Sequence, residues 1–331
     1  LAVTERLLSA CAVLDTLDKE IPATLRSGTA EAHAFIEHVI TPDGKIPLLN
    51  DAVFGEALDA TSCVRYGNWI GFSEQISPAI DASGLVWFEQ SELTLLADYG
   101  ASGPGDLLAH THNDPFTICV WVDETRVITD TGTYDYQPGV NRQQSRSVRA
   151  HNTAHPEGKE PAAFDGRFLM ADRLDPAVDM QGRSPNVVYG SYTTPTSGYE
   201  HQRWIVDGDD WILVWDSIEH EHGLVSRLHC APDIKIVRDP QPQFINDGEV
   251  ILQARPIQVE QISVESSPFF PEFGVKTQRE SLVFRSSGVQ SFGYLLTDKA
   301  DSKSVSVEGS NSDLEVVIIG DDQIEIPEVE L

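Results

Sequence analysis

A chain of 331 residues, 40% of them apolar, is long enough to bury a sizeable core, and no stretch approaches the ~20 apolar residues of a membrane span. Its 52 Asp and Glu against 23 Lys and Arg give a formal net charge of −29, which excludes a general basic surface for nucleic acid, since phosphate binding needs clustered Lys and Arg. Any anionic ligand must meet a local basic cleft able to overcome that field.

The first part of the chain reads as helical. Val3, Leu7, Leu14, Leu17 and Ile21 recur at helical spacing as one apolar stripe that ends at Pro22. A second helix follows Ser27 and Gly28, with Ala32, Phe35, Ile36, Val39 and Ile40 on one face, and the turn residues Thr41-Pro-Asp-Gly44 stop it. Residues 46–51 form an apolar loop, and a short helix is expected within 54–70.

Near residue 80 the character changes. Short β-branched and aromatic runs begin at Gly84–Phe88, Leu93–Ala97, Phe116–Val122 and Val127–Asp130. They continue through Val187–Tyr192, Arg203–Val206, Trp211–Trp215, Val225–His229, Val250–Gln253, Leu282–Phe284, Phe292–Leu296 and Leu314–Ile319. Many short strands with turn residues between them indicate a mainly β fold, an antiparallel sandwich or supersandwich, preceded by a few helices. The expected organisation is therefore a helical part, residues 1–80, and a β part, residues 81–331. Cys11, Cys63, Cys119 and Cys230 lack ligand-like spacing and leave the redox compartment open; Cys119, in an apolar run, reads as a core thiol. The opening LAVTERLLSA has neither an initiator Met nor a signal-peptide core, so a processed chain or a fragment is expected.

The chemistry-bearing residues lie between Ala109 and Thr153. In an extended chain His110 and His112 project to one face. Such a pair can share a metal, can divide into one ligand and one substrate-facing imidazole, or can be two surface histidines. Asp130 and His151 are the natural completers of a site begun by His112, because two histidines, a carboxylate and an open position make a zinc-type ligand count. A simple hairpin around Glu124 would pair Asp130 with Cys119, so the chain before Phe116 has to fold back, with Pro115 as the bend. Arg142, Arg146 and Arg149 form a basic window without an acidic residue, suited to a carboxylate or sulfate. Arginines tying down a loop are the alternative. The remaining histidines read as packing, strand or solvated-turn residues: His33 and His38 on a helix, His201 and His229 in strands, His220 and His222 in a polar turn. His155 is a substitute ligand candidate.

Three ordered segments carry a resemblance: His110-Thr-His112-Asn-Asp114, then Asp130-Thr-Gly-Thr-Tyr134-Asp-Tyr136, then Arg142 through His151-Asn-Thr153. They resemble the signature region of the heparinase II/III-like family, and Pro42 through Asp51 is similar to the last toroid segment of that family. The resemblance implies the end of an α/α toroid followed by an antiparallel β-sheet domain, and a lyase that cleaves uronic-acid polysaccharides by β-elimination. It implies one structural zinc held by His112, Asp130 and His151, with His110 facing the substrate cleft. Tyr134, Tyr136 and the three arginines are its further contributors, and no organic cofactor is needed. It also implies an anionic polysaccharide as the partner and a periplasmic, envelope or secreted setting. The catalytic Tyr and an Asn or His of the toroid are expected upstream of this chain, which implies a truncated chain. A cupin-type metal enzyme would want a Glu soon after His112, and residues 113–120 contain none. A non-catalytic carbohydrate-binding or structural β-domain is the other alternative. The particular polysaccharide and the oligomeric state are not written in the sequence.

Overall fold

The computed structural model describes residues 1–73, 83–103, 105, 107–181, 186–238, 240–287, 290–298, 305–310, 313–319 and 322–325. The change of character expected near residue 80 lies outside the described residues.

Three helices come first: α1 (Ala2–Thr16), α2 (Ala23–Val39) and α3 (Ala60–Trp69). Leu8 and Cys11 of α1 pack with Cys63 of α3 and Phe72, while Ile36 and Val39 of α2 pack with Ala60. The expected stripe on α1 is displaced by one position. Val3 and Leu17 are exposed, because the face that meets α2 and α3 is the one carrying Thr4, Leu8 and Cys11. α2 starts before Ser27 and Gly28, directly after Pro22, a residue that costs nothing ahead of the first turn. The Asp59 carboxylate accepts from Ser62 N at 2.8 Å and caps α3.

Everything after α3 is dominated by antiparallel strands. A four-stranded meander contains β1 (Leu85–Glu89), β2 (Leu93–Asp98), β3 (Ile118–Val122) and β4 (Thr125–Ile128). After α4 (Val140–Arg146) come the short strands β5 (Ala154–Pro156), β6 (Phe164–Asp165) and β7 (Leu169–Met170), the last two paired with each other. Then follow β8 (Ala177–Gln181), β9 (Asn186–Thr193), β10 (Glu200–Asp207), β11 (Ile212–Ile218) and β12 (Leu224–His229). Next are β13 (Lys235–Val237), β14 (Gln243–Asn246), β15 (Glu249–Ile257), β16 (Gln261–Phe269), β17 (Thr277–Ser286) and β18 (Ser291–Thr297). An eight-stranded sheet has the order β13-β14-β15-β18-β11-β10-β9-β8, and a four-stranded sheet the order β16-β17-β12-β5. A three-stranded sheet of β19 (Val305–Ser310), β20 (Asp313–Ile319) and β21 (Asp322–Glu325) closes the described chain.

Period-two alternation assigns the two faces of the eight-stranded sheet. Ile205, Ile212, Val214 and Tyr294 enter one large core with Leu95 and Val120 of the meander and Leu228 and Phe284 of the β12–β17 pair. Their neighbours Trp204, Val206, Leu213, Trp215 and Leu295 form a second core on the opposite face, where Ile319 of β20 joins them. Each fully buried Leu, Ile or Phe contributes about 1.5–3 kcal/mol, so this stacking of sheets is the principal source of stability. The supersandwich expected from the strand pattern is the observed architecture. β16 was not legible because its run QISVESSPF carries Pro268 and stays half-exposed at the edge of its sheet. No helix among the described residues is long and apolar enough to cross a membrane.

The β3–β4 hairpin has its two-residue turn at Asp123-Glu124 and a register shift between Val120 and Trp121. Val120 therefore faces Ile128, and β4 stops before Asp130. The fold-back before β3 is a turn from Asp114 to Thr117: Pro115 is its second residue, Phe116 is its third with φ 62°, and Thr117 N donates to Asp114 O at 3.0 Å. That position normally takes glycine. Phe116 is held there by its buried ring, whose centroid lies 4.8 Å from that of Tyr99, 5.2 Å from Tyr192 and 5.3 Å from His201.

Candidate metal centre and adjoining cleft

The turn at Pro115 carries His112 and Asp114 back across the sheet toward His151, which follows a single 3₁₀ turn at Val148–Ala150. Ligand atoms of His112, Asp114 and His151 lie within 4.8 Å of one another, and all three side chains are buried. Among the buried atoms without a hydrogen-bond partner are one from each residue: His112 Nδ1, Asp114 Oδ2 and His151 Nε2. A buried polar atom left unpaired costs about 1–3 kcal/mol. Three such atoms brought together could serve as the donor set of a cation site, and two imidazoles with one carboxylate fit the ligand types of zinc.

The opposite nitrogen of each histidine is pinned by a different carboxylate. His112 Nε2 donates to Asp51 Oδ1 at 2.8 Å, and His151 Nδ1 donates to Asp130 at 2.7 and 3.0 Å. Those bonds select the tautomers that turn the lone pairs of His112 Nδ1 and His151 Nε2 toward a metal, the usual outer-shell arrangement of a histidine ligand. Asp130, expected as a ligand, is therefore placed as the partner of His151, and it also accepts from Thr131 N at 2.5 Å and Thr117 Oγ1 at 3.1 Å. Asp114 is the carboxylate that shares the cluster of unpaired buried atoms with the two histidines. Against its burial, the charge of His151 and their hydrogen bond hold the Asp130 carboxyl below the usual range, while burial pushes that of Asp114 up. Burial lowers His112 against the pull of Asp51; His151, although buried, is raised by Asp130.

Asp51, on the loop between α2 and α3, is the hub of the neighbouring side chains. Its carboxylate accepts from His110 Nδ1 at 2.8 Å, from Thr133 Oγ1 at 3.1 Å, and from both terminal nitrogens of Arg142. Despite the cost of burial, its hydrogen bonds to His112 and Arg142 and their charges keep it ionised far below the ordinary carboxylate range. His110 is 68% exposed at this point, and its ring lies 5.8 Å from that of Tyr136. With Nδ1 donating to Asp51, the Nε2 lone pair is the one available to a ligand. Tyr136 is half-buried, between Phe168, Phe273 and the Arg142 guanidinium, which lies 5.2 Å from its ring centre. Burial and the Asp51 charge push its phenol up. Tyr134 packs edge-on against Phe270, 5.7 Å away.

The three arginines divide. Arg142 is 2% exposed and is spent on Asp51, Ala109 O and Arg167 O; Arg146 is 1% exposed, donates to Thr111 O and Arg167 O, and lies 3.7 Å from the Phe164 ring centre. Both are buried, because a spacing of four on α4 puts them on its inward face. Arg149 alone is exposed, and it lines a cleft of about 500 Å³ with Gln143, Gln144, Arg227 and Ser267. His155 is not a ligand: its Nε2 accepts from Arg227 Nη1 at 2.7 Å.

Asp51 and Asp114 are the site residues that sequence reasoning passed over. Asp114 continues the alternation of His110 and His112, a signal that was available. Asp51 is 59 positions from His110 and has no local signature.

A sequence model of the family described as heparinase II/III-like, C-terminal, matches residues 74–308. The crystal structure of heparan sulfate lyase HepC from Pedobacter heparinus superposes with a TM-score of 0.64 at 15% identity, over 97% of this chain and 56% of that one. A crystal structure of heparinase III gives 0.68 at 12% identity, over 98% and 58%. This chain thus spans little more than half the length of these proteins, and at such identity the likeness shows the fold. No curated protein matches by sequence.

Proposed function

We propose, since this chain belongs to the heparinase II/III-like family, that it forms the β part of a polysaccharide lyase that cleaves a uronic-acid polysaccharide by β-elimination. The observation that carries the reading is the exposed His110 imidazole, oriented by Asp51 and set beside Tyr136 at the edge of the buried His112–Asp114–His151 cluster.

In that reaction the C5–H bond of the uronate breaks, its electron pair forms the C4=C5 double bond, and the C4–O bond breaks toward the leaving sugar. His110 Nε2 accepts a proton at the sugar ring, and the Tyr136 phenol, kept protonated by its surroundings, gives one to the leaving oxygen. A cation beside the substrate carboxylate lowers the cost of the developing enolate-like charge; Arg149 lines the cleft on the other side of α4. Tyr134 supports the wall on which Tyr136 sits. His112, Asp114 and His151 would hold one zinc, whose charge would offset the burial of these groups and fix the segment carrying His110. The helices are read as the end of a toroid, residues 1–80, whose exposed Val3, Val13, Leu17 and Trp69 present an apolar face for further helices. A Tyr and an Asn or His on those helices belong to the same reading, as does a periplasmic, envelope or secreted setting.

The test is to incubate the full-length protein, with the upstream helices of this reading, with heparan sulfate, chondroitin sulfate and alginate and to follow the ultraviolet absorbance of the unsaturated uronate. Product from one polymer, lost in His110→Ala, is expected. Oligosaccharide binding without product from any polymer would overturn the reading in favour of a carbohydrate-binding β-domain.

A further inference from the structure

α4 separates two environments. Its inward residues Arg142 and Arg146 serve Asp51 and Thr111, whereas Val140, Gln143 and Gln144 line the cleft on its other side. The two places meet back to back through Thr131 and Ala150, whose neighbours Asp130 and His151 belong to the metal cluster. His110 and Tyr136 do not line the cleft.

Two guanidinium groups set the character of this second cleft. Arg149 is exposed and Arg227 is only 6% exposed, and among the described residues neither has a carboxylate within salt-bridge distance. The acidic residue in the lining, Glu265, is bonded to Arg285 at 2.6 Å. Arg227 Nη1 donates instead to a neutral acceptor, His155 Nε2, at 2.7 Å. His155 cannot take a proton easily, since burial and the Arg227 charge push it down to about 3. The floor is equally organised: His229 Nε2 donates to the Arg149 carbonyl at 3.1 Å, and its Nδ1 accepts from Ser281 Oγ at 2.6 Å. Glu265 and Glu157 act on Arg227 only from beyond salt-bridge distance, and a buried arginine facing an accessible cleft with no carboxylate bonded to it is costly unless an anion completes it. In a chain of net charge −29 such a pair of cations is a local exception.

We infer that this cleft is a second glycan-binding site, separate from His110 and Tyr136, in which Arg149 and Arg227 hold the sulfate or carboxylate of an acidic sugar while Gln143, Gln144 and Ser267 bond its hydroxyls. The glycan nature of the ligand rests on the lyase reading; its negative charge rests on the cleft. The volume of about 500 Å³ lies within the range of small-ligand pockets. Arginine forks match both anions bidentately. Such a site would anchor the polymer away from the scissile bond.

The test is titration calorimetry of the protein with a sulfated heparan hexasaccharide, an unsulfated uronate hexasaccharide and inorganic sulfate, at two salt concentrations. Both oligosaccharides are expected to bind, more weakly at high salt, with Arg149→Gln weakening them at least tenfold. Gln143→Ala, on the exposed side of α4, is expected to weaken them several-fold without unfolding risk. Tighter binding of the sulfated probe assigns the arginines to sulfate, and equal binding assigns them to the carboxylate. Unchanged binding in both Arg149→Gln and Gln143→Ala overturns the inference. The lyase reading fails separately, on the absence of unsaturated product from the full-length wild type, whatever the titrations show.

Discussion

His112 and His151 lie with ring centroids 5.4 Å apart, and a different aspartate pins the outer nitrogen of each, Asp51 for one and Asp130 for the other. The pair is thereby set to share a cation with Asp114, and the two kinds of aspartate become separable by substitution.

Purified protein is expected to contain about one zinc per chain by elemental analysis. His112→Ala, Asp114→Asn and His151→Ala should lose it. Asp130→Asn should keep a metal bound about 10–100-fold more weakly, as befits an outer-shell partner. Zinc lost from Asp130→Asn at saturating metal, but retained by Asp114→Asn, would reverse their roles.

His110→Ala is expected to lower the rate of unsaturated uronate formation about 10²–10⁴-fold, the range of a lost general acid–base group. Its thermal midpoint should stay near that of wild type, because the ring is 68% exposed. Tyr136→Phe should likewise reduce the rate more than the affinity. A rate unchanged in both variants would take these two residues out of the mechanism.

Gly190, in the middle of β9, makes room for the strained turn. A Cβ there would lie 2.5 Å from the Tyr99 ring and 2.7 Å from the Phe116 ring. Gly190→Ala is therefore expected to cost about 1–3 kcal/mol of stability in urea unfolding. Because Phe116 sets where Asp114 lies, the same variant should bind zinc more weakly in chelator competition, although it touches no ligand. An unaltered midpoint with unaltered zinc affinity would show that the turn does not depend on this packing.

Stability should fall on mild acidification, and His155 supplies part of the slope. In the folded chain burial and Arg227 lower it to about 3, whereas an unfolded histidine titrates near 6.5. Between those values the unfolded chain holds the extra proton, so the contribution is fully present above about 6.5 and is lost as pH falls toward 3. The upper bound is about 1.4 kcal/mol per pH unit across that window. Unfolding free energies measured at pH 7, 6 and 5 should fall less steeply in His155→Gln than in wild type; parallel slopes would assign the acid sensitivity elsewhere.

The β architecture was legible because its core strands are fully buried, leaving runs such as Trp211–Trp215 and Phe292–Leu296 unbroken by polar residues. Edge strands such as β16, half wet and interrupted by Pro268, gave no such run. At the site, His112, Asp130 and His151 were recognisable from ordered motifs, and the fold-back at Pro115 was a geometric necessity that the Phe116 turn meets. For Arg142 and Arg146 the sequence left anion binding and loop anchoring open, and their bonds to Asp51 and to backbone carbonyls match the anchoring alternative. Once α4 is a helix, a spacing of four turns both inward. On α1 the apolar stripe was right in period and wrong in phase by one residue, since Val3 and Leu7 precede the buried Thr4 and Leu8. Asp51 was invisible to any local reading, because its partners come from positions 110, 112, 133 and 142.

That last carboxylate also decides where the molecule can be cut. The stretch matched by the family begins at residue 74, yet its histidines and Arg142 close onto an oxygen pair from residue 51. An excised piece starting at the family's edge would retain every strand of the sheets and strand a buried guanidinium without its counter-ion. The hereditary unit and the electrostatic unit of this chain therefore do not coincide: the smallest segment able to keep its histidines in register reaches back into the helical part.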